Sequence, residues 1–109
     1  MAYRKDKVTS LLHQIVAREI TKLFSGAIVT VTKVEVSADI HHATVFVSVF
    51  PEKNEQDTLR VLTQYCKKFN RKLFTRLAMK TPPTIVFQID RQEQKQRRVE
   101  KLLREVSVS

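Results

Sequence analysis

The spacing of hydrophobic positions switches between two periods along this chain. Val8, Leu11, Leu12, Ile15, Val16, Ile20, Leu23 and Phe24 recur in steps of three and four. That spacing lines them up as one stripe of an amphipathic helix over residues 5–24. Asp6 suits its N-cap, Lys22 suits the negative end of its dipole, and Ser25-Gly26 supplies the stop. The period then drops to two. Residues 28–36 are rich in Val and Thr and read as a strand, with Ile28, Val34 and Val36 expected inward by parity. Residues 37–42 (Ser-Ala-Asp-Ile-His-His) are turn-like. Residues 43–50 read as a second strand, with Val45, Val47 and Val49 on one face and Thr44, Phe46, Ser48 and Phe50 on the other. Two strands so close in sequence are expected to pair antiparallel. Pro51 ends the second.

Beyond Pro51 the helical period returns. Residues 52–57 are acidic, which suits a positive helix end. From there one continuous helix is expected to about Leu77, with Leu59, Leu62, Cys66, Phe69, Leu73 and Leu77 as its buried stripe. Thr81-Pro82-Pro83 breaks it. Residues 84–90 alternate as a third strand, with Ile85, Phe87 and Ile89 inward. The remainder is polar at first and then shows Val99, Leu102, Leu103 and Val106 at helical spacing, the mark of a solvent-facing helix or mobile tail. The order α-β-β-α-β with this tail predicts an α+β fold in two layers, a three-stranded sheet with helices on one face. It divides into a domain over residues 1–90 and a charged C-terminal helix or tail over residues 91–109.

Composition narrows the function. The chain has 109 residues, enough for one core, and 42% hydrophobic content, which suits a folded protein. Its single glycine, Gly26, excludes glycine-rich phosphate loops. Its single cysteine, Cys66, excludes an internal disulfide and sits on the apolar stripe as a small hydrophobe. His13, His41 and His42 do not form a metal-ligand pattern with it, so no metal and no cofactor are expected. Asp39 beside His41 and His42 reads as turn chemistry, and Ser10 and Ser25 have no base nearby in sequence; the chain reads as a non-enzyme. No apolar stretch reaches the length of a membrane span, and the N-terminus lacks a signal-peptide core. A cytoplasmic monomer is expected.

Charge carries the strongest signal. The formal net charge is +9, and it is lopsided. Residues 1–66 hold eight basic and seven acidic side chains, whereas residues 67–109 hold twelve and four. Concentrated charge of this kind attracts polyanions. Lys67, Lys68, Arg71, Lys72, Arg76 and Lys80 stack at four-residue steps along the second helix. Like charges so placed destabilise an isolated helix by a few tenths of a kcal/mol per pair, about 0.2–0.5, and phosphates relieve that repulsion. These six are the candidate RNA-binding residues. Arg4, Lys5 and Lys7 ahead of them are candidate extensions, as are Arg91, Lys95, Arg97 and Arg98 in the tail.

Two stretches carry a family resemblance. One is Val34-Glu35-Val36-Ser37-Ala38-Asp39-Ile40-His41-His42-Ala43-Thr44-Val45-Phe46-Val47-Ser48; the other is Phe69-Asn70-Arg71-Lys72-Leu73-Phe74-Thr75-Arg76-Leu77, followed by proline and the strand to Asp90. Over residues 3–90 the chain resembles ribosome-binding factor A. The resemblance implies a type II KH-like fold. It also implies a free, cytoplasmic, non-enzymatic assembly factor that binds the immature small ribosomal subunit and assists maturation and 5′-end processing of its 16S RNA. The chain departs from related patterns in two ways. The GxxG loop usual in RNA-binding KH domains is missing. In addition, the family's Ala-x-Gly kink is matched by Cys66-Lys67-Lys68, which predicts a straighter helix or a bend elsewhere. From the residues alone, two alternatives stay open: a general KH-like nucleic-acid-binding module and a basic module that docks on an acidic protein.

Overall fold

The computed structural model describes residues 5–77 and 81–107. Helix α1 (Lys5–Leu23) is followed by strands β1 (Ile28–Val36) and β2 (His42–Phe50). A short 3-10 turn (Glu52–Asn54) leads into α2 (Glu55–Gln64) and α3 (Cys66–Leu77), then β3 (Thr84–Ile89) and α4 (Arg91–Ser107). The three strands form one sheet in the order β1-β2-β3. As expected, β1 and β2 pair antiparallel. The α2–α3 crossover then returns β3 parallel to β2. Helices cover one face of the sheet, giving the α+β, type II KH-like arrangement. Its core joins Val8, Leu12 and Val16 of α1, Val45, Val47 and Val49 of β2, Leu62 of α2, Phe69 and Leu73 of α3, and Ile85, Phe87 and Ile89 of β3.

The expected facing of β1 needs one correction. Val34 and Val36 are buried, but Ile28 is 67% exposed and Val31 is buried in its stead. The cause is a β-bulge between Val31 and Lys33. Val31 pairs with Val47 and Lys33 with Phe46, leaving Thr32 as the extra residue, so side-chain parity reverses there. The bulged Thr32 hydroxyl lies 2.6 Å from the Asp90 carboxylate, to which it donates, and 3.3 Å from the Phe46 carbonyl. Asp90 follows β3, so this bond spans the whole sheet.

The second helix is not continuous, which is the other correction. At Tyr65 the backbone leaves helical geometry at φ −93° and ψ 2°. The Tyr65 N–H donates to the Leu62 carbonyl at 3.1 Å, and the Phe69 N–H donates to the Tyr65 carbonyl at 3.1 Å. A bend with negative φ needs no glycine. Lys68 therefore fits a broken helix, because the break falls three residues before it. Phe69 just past the bend meets Tyr65 and Phe87 at centroid distances of 6.4 and 5.7 Å.

Two turns close the fold. Gly26, at φ 82°, follows the end of α1. In the β1–β2 hairpin Ile40 holds φ 62°, unusual for a β-branched residue. A local network fixes it: the Ser37 hydroxyl donates to Asp39 Oδ1 (2.6 Å), which also accepts the His41 N–H (3.0 Å). Asp39 is thus a turn-forming carboxylate. The Ser37 hydroxyl, then the His41 N–H, hold its pKa below the ordinary value.

Candidate nucleic-acid interface

The basic stripe of α3 turns away from the core. Residues on α3 with side chains at Phe69, Leu73 and Leu77 are buried, while Lys67, Lys68, Arg71 and Arg76 are exposed and Lys72 is half-buried. This division follows from helical spacing: the core and the cations take opposite arcs of the same turns. Of the other candidates, Lys5 and Lys7 are exposed at the start of α1, and Arg4 and Lys80 lie outside the described residues.

The sheet lays α1 alongside α3, and this neighbour changes the meaning of two lysines. Glu19 of α1 is only 2% exposed. Lys72 hydrogen-bonds its carboxylate, Lys68 approaches it at 3.3 Å, and Lys22 lies 4.0 Å away. The Lys68 and Lys72 side chains are 49% and 42% exposed, so the carboxylate is roofed by lysines at the surface. The Lys72 hydrogen bond, aided by Lys68, holds the Glu19 pKa below its ordinary value against the opposing pull of desolvation. Lys68 and Lys72 therefore serve the fold as well as the surface field.

Arg18, one residue before Glu19, was missed by the sequence reading. With Gln14 and Ile15 it lines one wall of a groove whose other wall carries Arg71, Thr75 and Arg76. Among the described residues, no carboxylate lies within ion-pair reach of Arg18, Arg71, Arg76 or Lys67. Lys7 and Lys22 share this side of α1, seven residues before Gln14 and four beyond Arg18. The four-residue rule that found the α3 stripe applies to Arg18 and Lys22 as well; nothing in sequence, however, says that the two stripes are neighbours.

The Cys66 thiol is half-buried against the carbonyls of Leu62 and Ile85 at 3.8 and 3.6 Å, and burial raises its pKa, which disfavours the thiolate. His41 Nδ1 stands 3.6 Å from Asp39 on an exposed turn that the Asp39 carboxylate organises. Among the described residues no group of three His, Cys, Asp or Glu side chains converges, and no helix is long and apolar enough to cross a membrane. On the sheet's open face, Lys33 covers the Phe46 ring at 4.5 Å, and Phe50 is exposed. In the C-terminal segment, Arg91 and Arg98 pair with Glu55 and Glu52, at 3.1 and 2.9 Å.

The comparisons with known proteins agree with this architecture. Residues 4–103 match the family model described as ribosome-binding factor A. Over 111 residues the chain is 38% identical to ribosome-binding factor A of Chlorobium phaeobacteroides, covering 97% of this chain and 96% of that one. The crystal structure of ribosome-binding factor A from Thermus thermophilus superposes with a TM-score of 0.67 at 28% identity, covering 82% of this chain and 99% of the other. A homology model of the Thermus thermophilus factor, fitted into the cryo-electron-microscopy map of its 30S complex, gives 0.62 at 27% identity over 75% and 90% of the two chains. By fold, by sequence and by the extent of both matches, the chain belongs to the ribosome-binding factor A family.

Proposed function

We propose that this chain binds the small ribosomal subunit as an RNA-contacting assembly factor and assists maturation of its 16S RNA, including processing of the 5′ end. The carrying observation is the set of exposed, unpaired cations on adjoining faces of α3 and α1: Lys67, Arg71 and Arg76 with Arg18. Cations that no carboxylate pairs are suited to phosphates, whose binding releases condensed counterions. Lys68 and Lys72 add to its field while held by Glu19, and Lys5 and Lys7 extend it at the start of α1. Arg4 and Lys80 belong to the same proposal by sequence position. The relative fitted in a 30S complex supports the choice of partner.

Pelleting with purified small subunits tests the reading. The intact protein should co-sediment at low salt and be released as salt rises. The Arg71→Glu, Arg76→Glu double variant should bind at least about tenfold more weakly, with a salt slope shallower by roughly one to two. In cells lacking the protein, this variant should leave 5′-extended 16S precursor uncorrected, as judged by primer extension. Unchanged pelleting would move the RNA surface elsewhere. Lys72 is left intact in this test because its loss also disturbs Glu19.

A further inference from the structure

The groove between α1 and α3 differs from the rest of the basic surface. A convex ridge of lysines suffices to hold a phosphate backbone, but this site is concave. Its volume is about 340 Å³, near the lower end of the range of roughly 300–1,000 Å³ found for small-molecule pockets. That is room for one nucleotide. Floor and rim also differ in chemistry. By burial, the floor is Ile15, 5% exposed, and the Glu19 carboxylate with its half-buried partner Lys72. The exposed lining residues, Arg18, Arg71 and Arg76 with Gln14 and Thr75, form the rim.

A phosphate pressed to the floor would meet an apolar side chain and the Glu19 carboxylate, and the charge of Lys72 there is already engaged by that carboxylate. A neutral planar ring would meet neither repulsion nor an unpaired charge. At the rim the preference reverses, because free guanidiniums hydrogen-bond phosphates bidentately and also stack on planar rings. The Gln14 amide offers a donor and an acceptor to a base edge. Single-stranded RNA, unlike a duplex, can splay a base out of its stack and lay it against arginine.

We propose that the α1–α3 groove is a single-nucleotide subsite that takes one unstacked base of single-stranded RNA over Ile15, with the adjoining phosphates on Arg71 and Arg76 and Arg18 stacked against the ring. This inference rests on the RNA-binding reading above and specifies which form of RNA the site takes. It makes Arg18 a specificity-determining residue whose planar group matters beyond its charge, and it gives Glu19 the task of holding Lys72 in the groove wall.

The test uses a fluorescein-labelled ten-nucleotide RNA single strand and the ten-base-pair duplex of the same sequence. The intact protein should prefer the single strand by about fivefold or more, the lower end of what one stacked base contributes. Arg18→Lys keeps the charge and removes the planar group. It should weaken single-strand binding by about fivefold while changing duplex binding less than about twofold. No preference for the single strand, or an equal effect of Arg18→Lys on both RNAs, overturns the subsite. Arg18 is exposed, so circular dichroism of the variant should match the parent and fold loss is separable. Subunit pelleting, measured alongside, answers the other question. Pelleting without single-strand preference overturns the subsite and leaves the assembly-factor reading standing. Preference without pelleting supports the subsite and overturns that reading.

Discussion

Among single residues, Glu19 organises more of the surface than any cation does. It is a buried carboxylate beside a strongly basic face, and its charge is tolerable only because Lys72 and Lys68 reach it. Lys72→Met should therefore destabilise the protein by about 1–3 kcal/mol in urea denaturation. That is below the roughly 3–5 expected for breaking a fully buried pair, because Lys72 is partly solvated and Lys68 remains. Arg76→Met, with no such partner, should stay within about 0.5 kcal/mol. The same contacts set a pH dependence. Glu19 is ionised more readily in the folded chain than its ordinary value of 4.5 implies. An acid with a lowered folded pKa stabilises the fold fully above its unfolded pKa, and that stabilisation is lost as pH falls through the folded value. Stability should thus decline on acidification below about pH 4.5, and Glu19→Gln should flatten that part of the curve. A chemical-denaturation series from pH 3 to 6, compared for both proteins, checks the sign.

The individual elements are shaped by two irregularities that a clean periodic pattern lacks. The bulge at Thr32 costs a ladder position, and the hydrogen bond to Asp90 across the sheet compensates. Thr32→Val keeps the branched shape and removes the donor. It should cost about 1–2 kcal/mol, within or a little below the range for a hydrogen bond to a charged group, and thermal unfolding of the two proteins would measure it. The bend at Tyr65 works differently. It lets α2 cover β3 and β2 while α3 reaches α1, and it brings Lys68 to Glu19. Glycine is unnecessary there because φ stays negative. A left-handed residue appears instead in the hairpin, where Ile40 is held by Ser37 and Asp39 at a backbone cost of about 1–2 kcal/mol.

At the scale of the whole molecule, α4 stands apart from the two-layer body. It runs for 17 residues, about 25 Å at 1.5 Å per residue. Two arginine–glutamate pairs tie its first half to the 3-10 turn and α2. Past them, Val99, Leu102 and Leu103 are exposed. Truncation after Arg98 should then leave stability within about 0.5 kcal/mol, because little packing is lost. Truncation after Asp90 removes Arg91 from the nearly buried Glu55 and should cost about 1–3 kcal/mol, less than a fully buried pair because Arg91 is exposed. Calorimetry of the two truncated chains against the full one separates the cases; equal losses would show that α4 packs along its whole length.

The element order, the antiparallel hairpin, the inward parity of β2 and β3 and the cationic arc of α3 were all legible in the sequence. Each depends on side chains a few residues apart, which local periodicity records. The stop after α1 was legible for the same reason: Gly26 at φ 82° answers a purely local demand. Tertiary structure decided the rest. The Thr32 bulge turned Ile28 outward, and its partner Asp90 is 58 residues away. The break at Tyr65 leaves no glycine to betray it. Above all, the candidate interface depends on the placing of α1 beside α3. Glu19 and Lys72 are 53 residues apart in the chain, yet they share a hydrogen bond. Periodicity assigns each residue to a face of its own helix, but only the packing of two helices on one sheet says which faces meet. That packing turned two stripes of like charge into a groove with an apolar floor, a roofed carboxylate and an arginine rim.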